Sequence, residues 1–124
     1  MKGKILIIED EFELCLLLKL HLISREYQVE MAYNLQDGLK KLEDYSPDVV
    51  FLDNNLPDGN GWDSITKIAE KYPQVQINLI TGAKHEYFKY ADIKNLFMME
   101  KPLSKKEIDE YLNLFEDNKF LLNK

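Results

Sequence analysis

The sequence predicts an α/β fold, a parallel sheet with helices on both faces, from three observations. Strand-length apolar runs alternate with segments of helical periodicity along the whole chain. The runs Ile5-Leu6-Ile7-Ile8 and Val49-Val50-Phe51-Leu52 are apolar at every position, as strands buried on both faces are. Each ends abruptly in acid, Glu9-Asp10-Glu11 after the first and Asp53 after the second. In open α/β sheets that edge is where ligands bind.

The first strand spans Lys4–Ile8. Glu11–Arg25 follows as a helix, with Phe12, Cys15, Leu16, Leu20 and Ile23 at helical spacing as its core-facing stripe. Gln28–Ala32 alternates polar and apolar residues, the signature of a half-exposed edge strand. Asn34 can cap a second helix over Leu35–Tyr45. Ser46-Pro47 stops that helix, because the residue before a proline is pushed out of the helical region. Val49–Leu52 is the third strand, and a third helix runs from Gly61 to Lys71 before Tyr72-Pro73 closes it. Val75–Ile80 is the fourth strand and leads into Thr81-Gly82. A short helix is assigned to Lys84–Tyr90, a fifth strand to Leu96–Met99, and a last helix, capped by Ser104, runs to about Asn118. Residues 1–119 read as one domain without linker or repeat, and 120–124 as a C-terminal tail.

Composition removes several function classes. The 124 residues suit one domain with a core of its own, and 45% apolar with 31% charged residues is ordinary for a globular protein. A net charge of −6 and a pI near 4.9 exclude a broad nucleic-acid footprint, so any effect on DNA runs through a partner. The single cysteine, Cys15, excludes an internal disulfide and a cysteine-based zinc site, and among leucines it reads as a core thiol. His21 and His85 do not pair at ligand spacing and read as surface residues; Trp62 reads as a packing residue. The chain shows no signal-peptide pattern and no apolar stretch of membrane-spanning length, which points to a cytoplasmic setting without a membrane partner. The initial Met and the missing hinge suggest a complete single-domain protein.

Four predicted strands end in residues of distinct chemistry: Glu9 and Asp10, then Asp53, then Thr81, then Glu100-Lys101-Pro102. A parallel sheet brings all of these to one edge. Crowded carboxylates repel and raise the proton affinity of at least one of them. A divalent cation removes that penalty, and oxygen ligands with room for water select a hard ion such as Mg²⁺. A metal, a hydroxyl donor and an ammonium around one carboxylate suit phosphoryl transfer. Asp53 would attack phosphorus to form an acyl phosphate, Thr81 would donate to a phosphoryl oxygen, and Lys101 would supply a point charge opposite the metal.

Glu9-Asp10, Asp53 with Leu56-Pro57-Asp58-Gly59-Asn60-Gly61, Thr81-Gly82 and Lys101-Pro102, in that order, resemble a bacterial response-regulator receiver domain of the CheY-like kind. The resemblance covers essentially the whole chain. It implies a single-domain flavodoxin-like (βα)5 fold with a five-stranded parallel sheet of order 2-1-3-4-5. It also implies that Asp53 takes phosphate from the histidine of a sensor kinase or phosphotransfer protein, switching the binding of a downstream protein. By the same analogy Asn55 lends its backbone carbonyl to a Mg²⁺ held by Glu9, Asp10 and Asp53, and the Lys101–Pro102 bond is cis. Such a protein is a phosphoacceptor, with self-phosphorylation and slow hydrolysis as its only turnover. Leu14, Leu17 and Leu18 widen the apolar surface of the first helix, and the family docks phosphodonors on that surface.

Two features depart from the family. The segment from Ala83 to Asn95 is short and lacks the small Gly-Ala step usual before the fifth strand, and the residue three before the lysine is not aromatic. Most receivers carry Tyr or Phe three residues before the lysine; Met98 stands there, with Phe97 beside it. That weakens the expected coupling from phosphate to output and keeps a phosphorylation-independent interaction module as the alternative. Glu9-Asp10-Glu11 would repel the phosphate of a flavin, which disfavours a flavodoxin. A haloacid-dehalogenase-like hydrolase would carry an acid two residues after its nucleophile, where this chain has Asn55.

Overall fold

The computed structural model describes residues 2–82 and 92–122, the last five of these by backbone alone. The chain runs β1 (Gly3–Ile8), α1 (Phe12–Ser24), β2 (Tyr27–Ala32), α2 (Leu35–Tyr45), β3 (Val49–Asp53), β4 (Asn55–Leu56) and β5 (Gly59–Asn60). It continues with α3 (Gly61–Lys71), β6 (Gln76–Thr81), β7 (Leu96–Glu100) and α4 (Lys105–Leu122). Five strands form one parallel sheet in the order β2-β1-β3-β6-β7. Counting only those five, this is the predicted 2-1-3-4-5 order. The sheet directs every C-terminal strand end to the same edge, which is what gathers the polar residues.

The fully apolar strands supply both faces of the core. On β3, Val50 and Leu52 enter a layer with Leu42 of α2 and Ile65 and Ile68 of α3. Val49 and Phe51 enter the opposite layer with Cys15, Leu18 and Leu22 of α1 and Ile108 and Leu112 of α4. Period-two alternation therefore feeds both layers from one strand. Each such buried side chain contributes roughly 1.5–3 kcal/mol relative to exposure. On the edge strand β2, exposed Gln28 and Glu30 alternate with half-buried Val29 and Met31, while Tyr27 and Ala32 at its ends are buried.

Local caps fix the helix starts. The Asp37 N–H donates to Asn34 Oδ1 at 2.8 Å at the start of α2, and the Glu107 N–H donates to Ser104 Oγ at 3.1 Å at the start of α4. Ser46 ends α2 in the left-handed region, φ 52°, just before Pro47. Gly38 is needed where α2 crosses β1, because a Cβ there would stand 2.5 Å from Ile8 Cδ1.

Three expectations need correction. The core-facing stripe of α1 is Cys15, Leu18 and Leu22; Phe12, Leu16, Leu20 and Ile23 are exposed instead. Apolar residues occupy every face of this helix, so periodicity alone could not select the inner one. Leu18 accordingly belongs to the core, leaving Leu17, at 67% exposure, as the outermost of the three candidate docking leucines. The segment after Asp53 closes as a two-stranded hairpin, β4 against β5. The last helix runs to Leu122, past the predicted stop at Asn118, since no Gly or Pro breaks Lys119-Phe120-Leu121-Leu122. His21 is not a free surface residue: its ring meets Asp109 Oδ1 at 2.8 Å. The helix assigned to Lys84–Tyr90, and His85 within it, lie outside the described residues.

Candidate functional site

Asp53 is the last residue of β3 and is 1% exposed, in register with Ile80 of β6. Glu9 follows β1 directly and is 3% exposed; its N–H donates to the Ala32 carbonyl of β2 at 3.0 Å. Asp10 is exposed beside it. Glu9, Asp10 and Asp53 each present a carboxylate oxygen, all within 4.8 Å of one another. Lys101, just past β7, places Nζ 3.0 Å from Asp53 Oδ1. Its N–H donates to the Thr81 carbonyl at 2.9 Å, and its bond to Pro102 is cis. Thr81 is buried at the end of β6, one residue beyond the register partner of Asp53. Asn55 opens β4, and its N–H donates to Asp53 Oδ1 at 3.2 Å.

Electrostatics follow from this crowding. Burial, then the hydrogen bond and charge of Asp53, push the Glu9 carboxyl up to about 8. Burial alone would lower the Lys101 ammonium, but the hydrogen bond to Asp53 and the charges of Asp53 and Glu9 outweigh it and hold the group above its ordinary value. Three acids converge on one ammonium, so the cluster is short of positive charge. An all-oxygen donor set of that kind fits a hard divalent ion. Cys15 is buried, and burial with the charge of Glu9 pushes its thiol up to about 11.

Two supporting residues escaped the sequence reading. Asn54 is 7% exposed; its N–H donates to the Ile80 carbonyl at 2.9 Å and its Oδ1 accepts from the Trp62 N–H at 2.9 Å. Asp58 sits at the hairpin tip and accepts from the N–H groups of Leu35 at 2.6 Å and Gln36 at 2.9 Å. Pro57-Asp58-Gly59 signals a turn tip, but nothing local reveals a partner more than twenty residues away.

A family model described as the response regulator receiver domain matches residues 5–113.

The chain belongs to the response regulator receiver family. It is 37% identical over 90 residues to the response regulator ArlR of Staphylococcus aureus, a match covering 73% of this chain and 41% of ArlR. This receiver therefore spans under half the length of the curated relatives it matches. The non-phosphorylated HemR receiver domain of Leptospira biflexa is 28% identical, with a TM-score of 0.80 over 91% of this chain and 93% of that one. A CheY-like receiver domain protein of Methanospirillum hungatei JF-1, at 24% identity, shares the fold with a TM-score of 0.82 over 93% and 94% of the two chains. A receiver is the phosphoacceptor module of two-component signalling. Among the described residues, no helix is long and apolar enough to cross a membrane.

Proposed function

We propose that Asp53 accepts a phosphoryl group from a phosphohistidine of a sensor kinase or phosphotransfer protein. The ion would be Mg²⁺, held by the carboxylates of Glu9, Asp10 and Asp53 and the carbonyl of Asn55. One observation carries this reading: a buried carboxylate at a strand end with two further acids within 4.8 Å and an ammonium at 3.0 Å. A bound Mg²⁺ would supply neutralising charge to the carboxylates and the phosphoryl oxygens. The residues do the rest. An Asp53 oxygen attacks phosphorus, the phosphorus–nitrogen bond breaks, and the imidazole leaves with a proton. The product is an acyl phosphate on Asp53. Lys101 loses its place on Asp53 Oδ1 and pairs with the phosphoryl group, while the Thr81 hydroxyl donates to a phosphoryl oxygen.

Asn55 stands where an aspartyl-phosphate hydrolase would hold its acid, so turnover beyond slow self-hydrolysis lacks an acid–base partner. The phosphodonor would dock on the outer surface of α1. A groove of about 470 Å³ between α1 and α4 is lined by Leu14, Leu17, Leu18, Leu103, Lys105 and Ile108 and reaches Glu9. Phosphorylation would then switch the binding of a downstream protein in a cytoplasmic pathway, without direct contact with nucleic acid or membrane.

Incubation with Mg²⁺ and acetyl phosphate tests the reading by intact-mass measurement. One acid-labile phosphate is expected, absent in Asp53→Ala and absent when the metal is chelated. Rapid turnover of the donor without a stable phosphorylated chain, or an unmodified wild-type chain, would overturn it.

A further inference from the structure

We propose that Asp58 is a positioning residue for the metal site, holding the Asn55 backbone in place by tying the β4–β5 hairpin to the N-terminus of α2. The inference rests on reading Glu9, Asp10, Asp53 and Asn55 as the Mg²⁺ ligands.

Three of those ligands are carboxylates, which can adjust their rotamers to an ion. Asn55 would bind through a backbone carbonyl, and a backbone atom moves only if its loop moves. The position of the hairpin therefore sets the fourth ligand. Short hairpins are marginal alone, and this one has two residues in each strand, Asn55–Leu56 against Gly59–Asn60. Its order must come from outside.

It is fastened on both flanks. On the α3 side, the Gly61 N–H donates to the Asn54 carbonyl at 2.9 Å, and the Trp62 N–H donates to Asn54 Oδ1 at 2.9 Å and Asn60 Oδ1 at 2.7 Å. On the α2 side the tip residue is the fastener. Asp58 Oδ1 accepts from the Leu35 N–H at 2.6 Å and Asp58 Oδ2 from the Gln36 N–H at 2.9 Å. These are unpaired donors of the first helical turn, so the carboxylate gains charge-assisted hydrogen bonds and the favourable end of the helix dipole. Those bonds hold the carboxyl of Asp58 below its ordinary range although it is exposed. Gly59 brings the backbone against the same helix, since a Cβ there would lie 2.6 Å from Leu35 Cδ2. α2 already has its own cap in Asn34, which serves the Asp37 N–H. Asp58 thus adds a connection between two segments, beyond what the helix needs.

Magnesium titration of the intact chain by calorimetry, with melting curves on the same samples, tests this. Asp58→Ala is expected to weaken Mg²⁺ binding about tenfold, the usual scale for outer partners of a ligand. Asp58→Asn, whose amide keeps one acceptor oxygen, is expected to fall between Asp58→Ala and wild type. Asn34→Ala removes the other cap of α2 and serves as the control: the melting temperature drops, while Mg²⁺ affinity stays within about twofold of wild type. Wild-type affinity in Asp58→Ala would overturn the proposal, as would equal weakening in Asn34→Ala. If the wild-type chain binds no Mg²⁺, the site reading itself fails and takes the tether with it.

Discussion

Glu9 is the residue whose chemistry depends most on what surrounds it. It is buried beside Asp53, and desolvation together with that neighbour lifts its carboxyl to about 8. In chelated protein the folded state therefore keeps a proton that the unfolded chain sheds near its ordinary value of 4.5. A raised folded value makes stability fall as pH climbs from about 4.5 to about 8, then level off. Glu9→Gln keeps the shape and a donor for Asp53 but does not titrate. In EDTA the variant should melt higher than wild type at pH 8 and close to it at pH 5, a gap of up to roughly 3–4 kcal/mol at about 1.4 kcal/mol per unit. Addition of Mg²⁺ should raise the wild-type melting temperature and barely move the variant. A gap independent of pH would mean that Asp53 does not crowd Glu9 as the distances indicate.

Elements are held together here by one polar cluster remote from the strand C-termini. Arg25, just past α1, reaches Asp109 Oδ1 at 2.8 Å and Glu116 Oε2 at 2.9 Å on α4. His21 shares Asp109, and the Tyr27 hydroxyl donates to Glu116 at 2.7 Å. Hydrogen bonds from Arg25 and His21 hold Asp109 below its ordinary 3.8. Glu116 is partly desolvated, which would raise it, but Tyr27 and Lys2 bonds bring it below 4.5. Depressed carboxylates contribute stability above their unfolded values and lose it as pH falls through their folded ones. Arg25→Ala should cost roughly 1–2 kcal/mol near neutrality, and its difference from wild type should shrink below about pH 4 in acid melts. A constant difference down to pH 3 would show that the pairs contribute nothing. A second element-scale contact is Gly38, where alanine is the better helix former yet would press on Ile8. Overpacking costs more than propensity gains, so Gly38→Ala should lose roughly 1–2 kcal/mol in denaturant melts. Neither contact was legible in the sequence, because both join residues whose proximity only the fold creates. The inward face of α1 was illegible for a different reason: leucine on every side leaves the pattern without a phase.

The whole molecule was far more legible than its contacts, and the reason is the sheet. Fully apolar Ile5–Ile8 and Val49–Leu52 could only be central parallel strands, and alternating Gln28–Ala32 could only be an edge. A parallel sheet brings its strand C-termini to one edge, so Glu9, Asp10, Asp53 and Lys101 were expected to meet there, and they do. The response to phosphate is set by where β7 points its side chains. Met98 is 4% exposed and packs in the layer with α3, while Phe97 is 45% exposed and tilts against Tyr111 at 5.3 Å. Receivers generally keep a Tyr or Phe at the Met98 position and use its inward swing to report phosphorylation. Here that position already holds a buried, flexible thioether, so drawing Thr81 to a phosphoryl group vacates no aromatic pocket and leaves the outer face of β7 unchanged. A chain carrying net charge −6 also gains repulsion on pairing. Sedimentation with and without beryllofluoride should therefore find monomers in both states, with self-association weaker than roughly 100 µM. A tight dimer formed only with the phosphoryl mimic would show that phosphorylation reaches the dimerisation surface despite Met98.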